Sequence, residues 1–204
     1  MAAFPLSCAC GALQGELSEP LRGNRAVCYC DDCQAFARWL GRDDILDQWG
    51  GTDVFQVAPA KVRLTAGLDH LQLVRLSPKG LLRWYAGCCR TPVGNMLSNP
   101  RSPFVGLIHT FMDHKKDGAP RDARIGPPVG HIQGRFAVGG CPPHAHPSAG
   151  VGVIAKSVWF LLGNAVTGGH RPTPFFDDAG RPVRDARVLT KDERAAVTPK
   201  PAAG

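Results

Sequence analysis

The sequence predicts a mainly β, α+β fold: compact coiled antiparallel sheets with short helices and cysteine-bearing knuckles, plus an amphipathic helix near the C-terminus. Three observations predict it. Gly (24) and Pro (18) together make about a fifth of the 204 residues, a turn-rich composition that disfavours a helix bundle. Short apolar runs follow one another between residues 53 and 109, with Gly, Pro, Asp or Asn in nearly every gap. Seven of the eight cysteines fall in tight groups, spaced as thiolates around an ion rather than as partners in disulfides.

The length suits one domain with appendages. We divide it into a cysteine-rich domain over residues 1–112, a Gly/Pro-rich excursion and helix packing on that domain over 113–190, and a disordered tail over 191–204. Apolar residues are 44% of the chain, which excludes wholesale disorder. Basic residues exceed acidic ones by 24 − 17 = 7, but they are scattered. A scattered excess reads as a solvated surface and argues against a nucleic-acid footprint. Residues 1–7 lack a basic n-region and an apolar h-region. The most apolar segment, 151–166, is interrupted by Lys156, Gly163 and Asn164, and falls short of the roughly 20 residues of a membrane span. The expected compartment is cytoplasmic, where thiols stay reduced and eight cysteines need an explanation other than disulfides.

In chain order, 11–19 alternates as a strand, and 25–29 is a second strand delivering Cys28 and Cys30. Asp31 and Asp32 then mark a helix N-terminus, and the helix runs to Leu40 and stops at Gly41. A second short helix is expected over 43–48. Strands follow at 53–57, 61–65, 70–76, 81–85, 93–97 and 104–109. Residues 113–150 show no sustained period and predict an irregular excursion. Val151, Ile154, Val158, Leu161 and Ala165 recur at helical spacing and predict a helix whose apolar face packs on the core or against a second copy of the chain.

The cysteine groups are Cys8-Ala9-Cys10, the run Cys28-Tyr29-Cys30-Asp31-Asp32-Cys33, and Cys88-Cys89, with Cys141 alone. A C-x-C or C-x2-C pair lets one tight turn present two sulfurs to one ion, so these are zinc knuckles and one or two zinc ions are expected. A structural zinc ion is closed by four protein ligands, whereas a catalytic one keeps three and a free position. Cys28, Cys30 and Cys33, on a strand-to-helix turn with no fourth cysteine nearby, fit the open kind. A distant histidine or carboxylate could instead close the site. An electron-rich three-thiolate site suits holding an external thiol as thiolate, which can attack a small aldehyde.

At these residues the sequence resembles the glutathione-dependent formaldehyde-activating enzymes and their centromere protein V relatives, over residues 7 to about 97. The matching blocks are C-x-C-G at Cys8-Ala9-Cys10-Gly11, C-x-C-x2-C at Cys28, Cys30 and Cys33, and a late block partly matched by Ala86-Gly87-Cys88-Cys89-Arg90-Thr91-Pro92. The resemblance implies coiled antiparallel sheets, a structural zinc on Cys8, Cys10 and Cys89, and a catalytic zinc on Cys28, Cys30 and Cys33 that receives the glutathione sulfur. Ala86 stands where the family's first late cysteine belongs. Cys88 could supply the missing sulfur if the turn is reshaped, although in a regular strand Cys88 and Cys89 point to opposite faces and would not reach one ion together.

Other residues invite weaker readings. Cys141, His144 and His146 look metal-like within a proline-rich loop. His109 is a candidate fourth ligand or acid–base group, against the simpler reading of a satisfied, half-buried histidine. Arg25, Arg38, Arg42 and Arg90 are candidates to grip the carboxylates of glutathione. Tyr29, Trp84 and Tyr85 would line the pocket or belong to the core. Asp31 and Asp32 would cap the helix or orient the ligand turn. The leading expectation is a carbon–sulfur lyase joining a small-molecule thiol, glutathione or similar, to formaldehyde or another small aldehyde, with no membrane partner. The alternative is a non-enzymatic zinc-stabilised module for an acidic partner. A thiol–disulfide enzyme built on Cys88 and Cys89 ranks last.

Overall fold

The computed structural model describes residues 3–199. In chain order the strands are β1 (Phe4–Ser7), β2 (Gln14–Leu17), β3 (Asn24–Cys28), β4 (Thr52–Val57), β5 (Val62–Ala66), β6 (Leu71–Arg75), β7 (Leu82–Ala86), β8 (Thr91–Met96), β9 (Val105–Ile108), β10 (Gly130–Ile132) and β11 (Arg187–Val188). The helices are α1 (Asp31–Trp39), α2 (His114–Asp117), α3 (Arg121–Ile125), α4 (Val151–Val166) and α5 (Lys191–Val197). A small sheet has the order β1-β2-β5, and a large one the order β10-β3-β4-β9-β8-β7-β6-β11. The pairings are antiparallel except at the two ends of the large sheet, where β10 joins β3 and β11 joins β6 in parallel. The mainly antiparallel α+β class is as the sequence predicts.

Side-chain alternation decides what each face of the large sheet does. Phe55 and Val57 of β4, Leu71 and Leu73 of β6, and Leu82, Trp84 and Ala86 of β7 point to one side. There they meet Phe4, Leu6, Leu17 and Leu64 of the small sheet in the main core. Burying each such Leu or Phe stabilises the fold by about 1.5–3 kcal/mol. Phe175 and Phe176, far along the chain, insert into the same core, and Phe175 lies 5.3 Å from the Trp84 ring. The opposite face carries α1, whose Ala35, Phe36 and Leu40 pack on Val74 and Leu76. All of β8 and β9 is buried, as expected of central strands covered on both sides.

Several expectations need correction. The helix expected at 43–48 is a single 3-10 turn, Asp43–Ile45. Residues 113–150 are not wholly irregular: α2, α3 and β10 lie within them, each too short to show a period. The tail expected to be disordered from residue 191 begins instead with α5. Its capping box is complete: the Thr190 hydroxyl accepts from the Glu193 N–H and the Glu193 carboxylate accepts from the Thr190 N–H. Arg194 then ties α5 to α1 through Asp32 at 2.5 Å. The rest of that tail, residues 200–204, lies outside the described residues.

Helix α4 spans the residues expected, but with a different face inward. Val151, Ile154, Val158 and Ala165 of the sequence-based stripe are exposed, and Val153, Ser157, Phe160, Leu161 and Asn164 turn toward the protein. The helix is apolar almost all round, so periodicity cannot select its buried side. Contact with β10 selects it: Val153 lies so close over Gly130 that a Cβ there would sit 2.4 Å from its Cγ2. No helix of the described residues is long and apolar enough to cross a membrane.

Candidate metal centres

Two groups of cysteines converge, and the fold builds them differently. In the first, the chain leaves β1 at Cys8 and turns back through Gly11, which adopts φ +76°, to start β2. The Cys8 N–H donates to the Leu13 carbonyl at 2.9 Å, and the Leu13 N–H donates to Cys8 Sγ at 3.2 Å. The turn between β7 and β8 then brings up Cys88 and Cys89. Cys10 Sγ and Cys88 Sγ are 3.4 Å apart, Cys8 and Cys10 3.6 Å, Cys8 and Cys88 3.7 Å, and Cys88 and Cys89 3.8 Å. Sulfurs tetrahedrally bound at about 2.3 Å are separated by about 3.8 Å. A disulfide would need about 2.05 Å, and all eight cysteines are free. The four sulfurs therefore fit one thiophilic ion.

Cys88 thus lies with the other three sulfurs, as a reshaped turn allows, and the objection drawn from a regular strand does not apply. That argument assumed a strand, but 87–90 is a tight turn, closed by Arg90 N–H to the Ala86 carbonyl at 2.8 Å with Arg90 at φ +58°. In a turn, successive side chains can converge. Thr91 supports the group: its Oγ1 accepts from the Ala9 N–H at 3.0 Å and from Arg42 at 3.3 Å. Its own hydroxyl proton is left for Cys89 Sγ, 3.1 Å away. Burial would raise the Cys89 thiol, but the Thr91 hydroxyl and the backbone N–H groups of Thr91 and Cys10 hold it down at about 6.

In the second group, Cys28 ends β3, Cys30 is the N-cap of α1, and Cys33 lies in the first helical turn. The three sulfurs lie within 4.8 Å of one another, and no fourth His, Cys, Asp or Glu joins them among the described residues. The Cys33 N–H donates to Cys30 Sγ at 3.3 Å, so the positive end of the helix faces the sulfurs. Gln34 holds the turn, donating from Nε2 to the carbonyls of Tyr29 and Phe136, both at 2.8 Å. Gly50, at φ +79°, leaves room for this: a Cβ there would lie 2.6 Å from Gln34 Oε1.

The sequence reading missed a buried cation beside these sulfurs. Arg83 of β7 is 1% exposed, on the same face as α1. Its guanidinium lies over the Phe36 ring, donates to Asn95 Oδ1 at 3.1 Å and pairs with Asp32 at 3.4 Å. The Cys33 thiol is held well below its ordinary range, first by hydrogen bonds from Cys28 and Cys30 and then by Arg83. The available signal was an arginine alternating with Leu82 and Trp84 in a buried strand. Asp32 in turn receives Arg194, so it joins two arginines behind the ligand turn, while the cap itself is Cys30.

A cleft of about 270 Å³ opens on Cys28 and Cys33. Its floor is the face of the large sheet opposite the main core, and its roof includes Val153 and Ser157 of α4. The register sets one row of residues across this floor. Asn24 pairs with Gln56, Gln56 with Gly106, Gly106 with Asn95, and Asn95 with Arg83. Asn24 Nδ2 donates to Gln56 Oε1 at 3.2 Å, which leaves the Gln56 amide N–H free to face a ligand. Asn95 likewise has its oxygen taken by Arg83 and keeps its NH2 group to donate.

The other candidates go elsewhere. Cys141, His144 and His146 do not converge into a ligand group. His144 Nε2 instead lies 3.3 Å from Tyr29 Oη, which also meets Asp47 at 3.1 Å and His131 at 3.2 Å. Tyr29 is fully buried and points away from the cleft, Trp84 is core, and Tyr85 stacks edge-on against Trp39. His109 belongs to neither sulfur group: its Nδ1 donates to the Asp53 carbonyl at 3.3 Å, and burial lowers it to about 4, so the ring is neutral. Arg25 is buried in a bidentate pair with Asp53 and a further pair with Asp122. Arg38 reaches Asp43, Arg42 grips Asp44, and Arg90 lines a separate surface groove with Trp39. None of the four lines the cleft.

Residues 1–187 match the profile of a family described as "Family of unknown function (DUF6151)", and the chain belongs to that family. No curated protein matches the chain. Among solved structures it is similar to a Rhodobacter sphaeroides protein. That likeness has 18% identity, covers 59% of this chain and 94% of the other, and has a TM-score of 0.38.

Proposed function

We propose that this family member holds zinc at both cysteine groups, and that Cys28, Cys30 and Cys33 form a working site where an external thiol is added reversibly to a small aldehyde. The observation that carries the reading is the three-sulfur group, joined by no fourth ligating residue among the described residues and opening on a cleft. The block resemblance to the formaldehyde-activating enzymes supports it through the cysteines alone. When bound, the ion supplies a Lewis acid that keeps an incoming sulfur deprotonated near neutral pH.

The chain's own residues account for the rest. Three thiolates and a divalent ion carry one net negative charge, which the buried Arg83 offsets. The cleft would hold the two reactants together beside the sulfurs. Sulfur forms a bond to the carbonyl carbon, the carbonyl π pair moves to oxygen, and that oxygen takes up one proton, replacing the one the thiol gave up. The product is a hemithioacetal, and nothing is oxidised. The amide groups of Asn95 and Gln56, which line the same cleft, would donate to the oxygen as its charge grows.

The test is X-ray absorption at the metal edge with and without thiol, beside NMR exchange between free aldehyde and its adduct. A rise from three to four sulfurs at one site, with accelerated exchange, is expected. A working site closed by four protein ligands before any thiol is added would sink the reading.

A further inference from the structure

We infer that the cleft selects an uncharged thiol with an apolar body, and excludes thiols that carry carboxylates such as glutathione. This inference rests on the proposed thiol-binding role of Cys28, Cys30 and Cys33 and names the class of thiol. The walls are Val54, Leu81, Phe104, Val129, Ile132 and Val153, and the polar side chains of the lining, besides the cysteines, are Asn24, Gln56, Asn95 and Ser157 among the described residues. Among the described residues, no Lys, Arg, His, Asp or Glu lines it.

The arginines that a carboxylate would seek are already engaged. Arg25 is locked by Asp53 and Asp122, Arg42 by Asp44, and Arg83 by Asp32 and Asn95 behind the cleft wall. A carboxylate brought inside would lose its water and find no Lys, Arg or His of the lining in exchange, a cost of several powers of ten in affinity unless it stayed outside. Neutral amides impose no such penalty on a thiol bearing a hydroxyl or amide, and the apolar walls favour a short hydrocarbon body. Gly106 lets Val54 pack close against the floor: a Cβ there would lie 2.8 Å from Val54 Cγ1.

The test uses cobalt(II)-loaded full-length protein, titrated with 1-butanethiol, 2-mercaptoethanol or glutathione, and reads the sulfur-to-cobalt charge-transfer band with calorimetry for affinity. The uncharged thiols are expected to bind at least about tenfold more tightly than glutathione. A Ser157→Lys variant, changing a half-buried helix residue, is expected to narrow that ratio by giving the cleft a cation. Glutathione binding as tightly as the uncharged thiols would overturn the inference and leave the thiol-binding site standing. If no thiol changes the spectrum, the site reading and this inference fall together.

Discussion

Cys10 Sγ and Cys88 Sγ stand 3.4 Å apart although 78 residues separate them in the chain. The contact exists because β1 and β7 end at the same edge of the core and each runs into a tight turn there. A cysteine pair from each turn then meets the other pair at distances suited to one ion.

A Cys88→Ser variant should therefore lose metal. Competition against a chromophoric chelator is expected to release about one ion per chain at chelator concentrations that leave the unmutated protein loaded. Cys33→Ser should release the ion of the other group, with the first retained. If Cys88→Ser holds metal as tightly as the parent, Cys88 is not a ligand and its position is incidental.

Arg83 is buried beside the three-sulfur group, and replacing it by Met keeps bulk while removing charge. Groups that support metal ligands from behind commonly change metal affinity by about 10–100-fold. A loss of that order is expected at the Cys28, Cys30 and Cys33 site, with the four-sulfur site unchanged. Metal affinities measured separately in Cys8→Ser and Cys30→Ser backgrounds resolve the two.

His109 gives the fold a dependence on pH. Burial, with Arg121 adding, lowers its folded value from 6.5 to about 4, so between these the unfolded chain binds more protons. The stabilisation is complete above about pH 6.5 and is lost as pH falls toward 4, up to about 3 kcal/mol. Urea unfolding across this window should show a shallower loss for His109→Asn, which keeps a donor for the Asp53 carbonyl without titrating there. Parallel curves for the two proteins would refute the assignment.

Two tryptophans should behave as opposites. Trp84 is 0% exposed against Phe175, and Trp84→Ala is expected to cost about 3–5 kcal/mol. Trp159 on α4 is 80% exposed, so Trp159→Ala should change stability by less than about 0.5 kcal/mol. Denaturant midpoints compare them directly; a large loss at Trp159 would show that α4 is covered in solution.

Most of the strands between residues 52 and 108 were legible because local turn chemistry and side-chain alternation are written residue by residue. β10 and β11 were not, since two or three residues carry no period and pair only because a neighbouring strand offers a free edge. α5 was legible in principle from its Thr190–Glu193 cap, and was obscured by the polar composition around it. The three-cysteine turn was readable for the same local reason, with all its sulfurs within six residues.

The cysteine knuckles, the antiparallel class and the strand-to-helix turn that bears Cys28, Cys30 and Cys33 follow from residues close together in the chain. It took the packed fold to bring Cys88 to Cys8 and Cys10, to set Arg83 behind the sulfurs, to turn Val153 rather than Val151 inward, and to line the cleft, among the described residues, without Lys, Arg, His, Asp or Glu. The division follows from range. A knuckle needs only the backbone geometry of a few neighbours, whereas a fourth sulfur, a buried cation and an apolar wall are brought together by strand register across the sheet, which no short stretch of chain encodes.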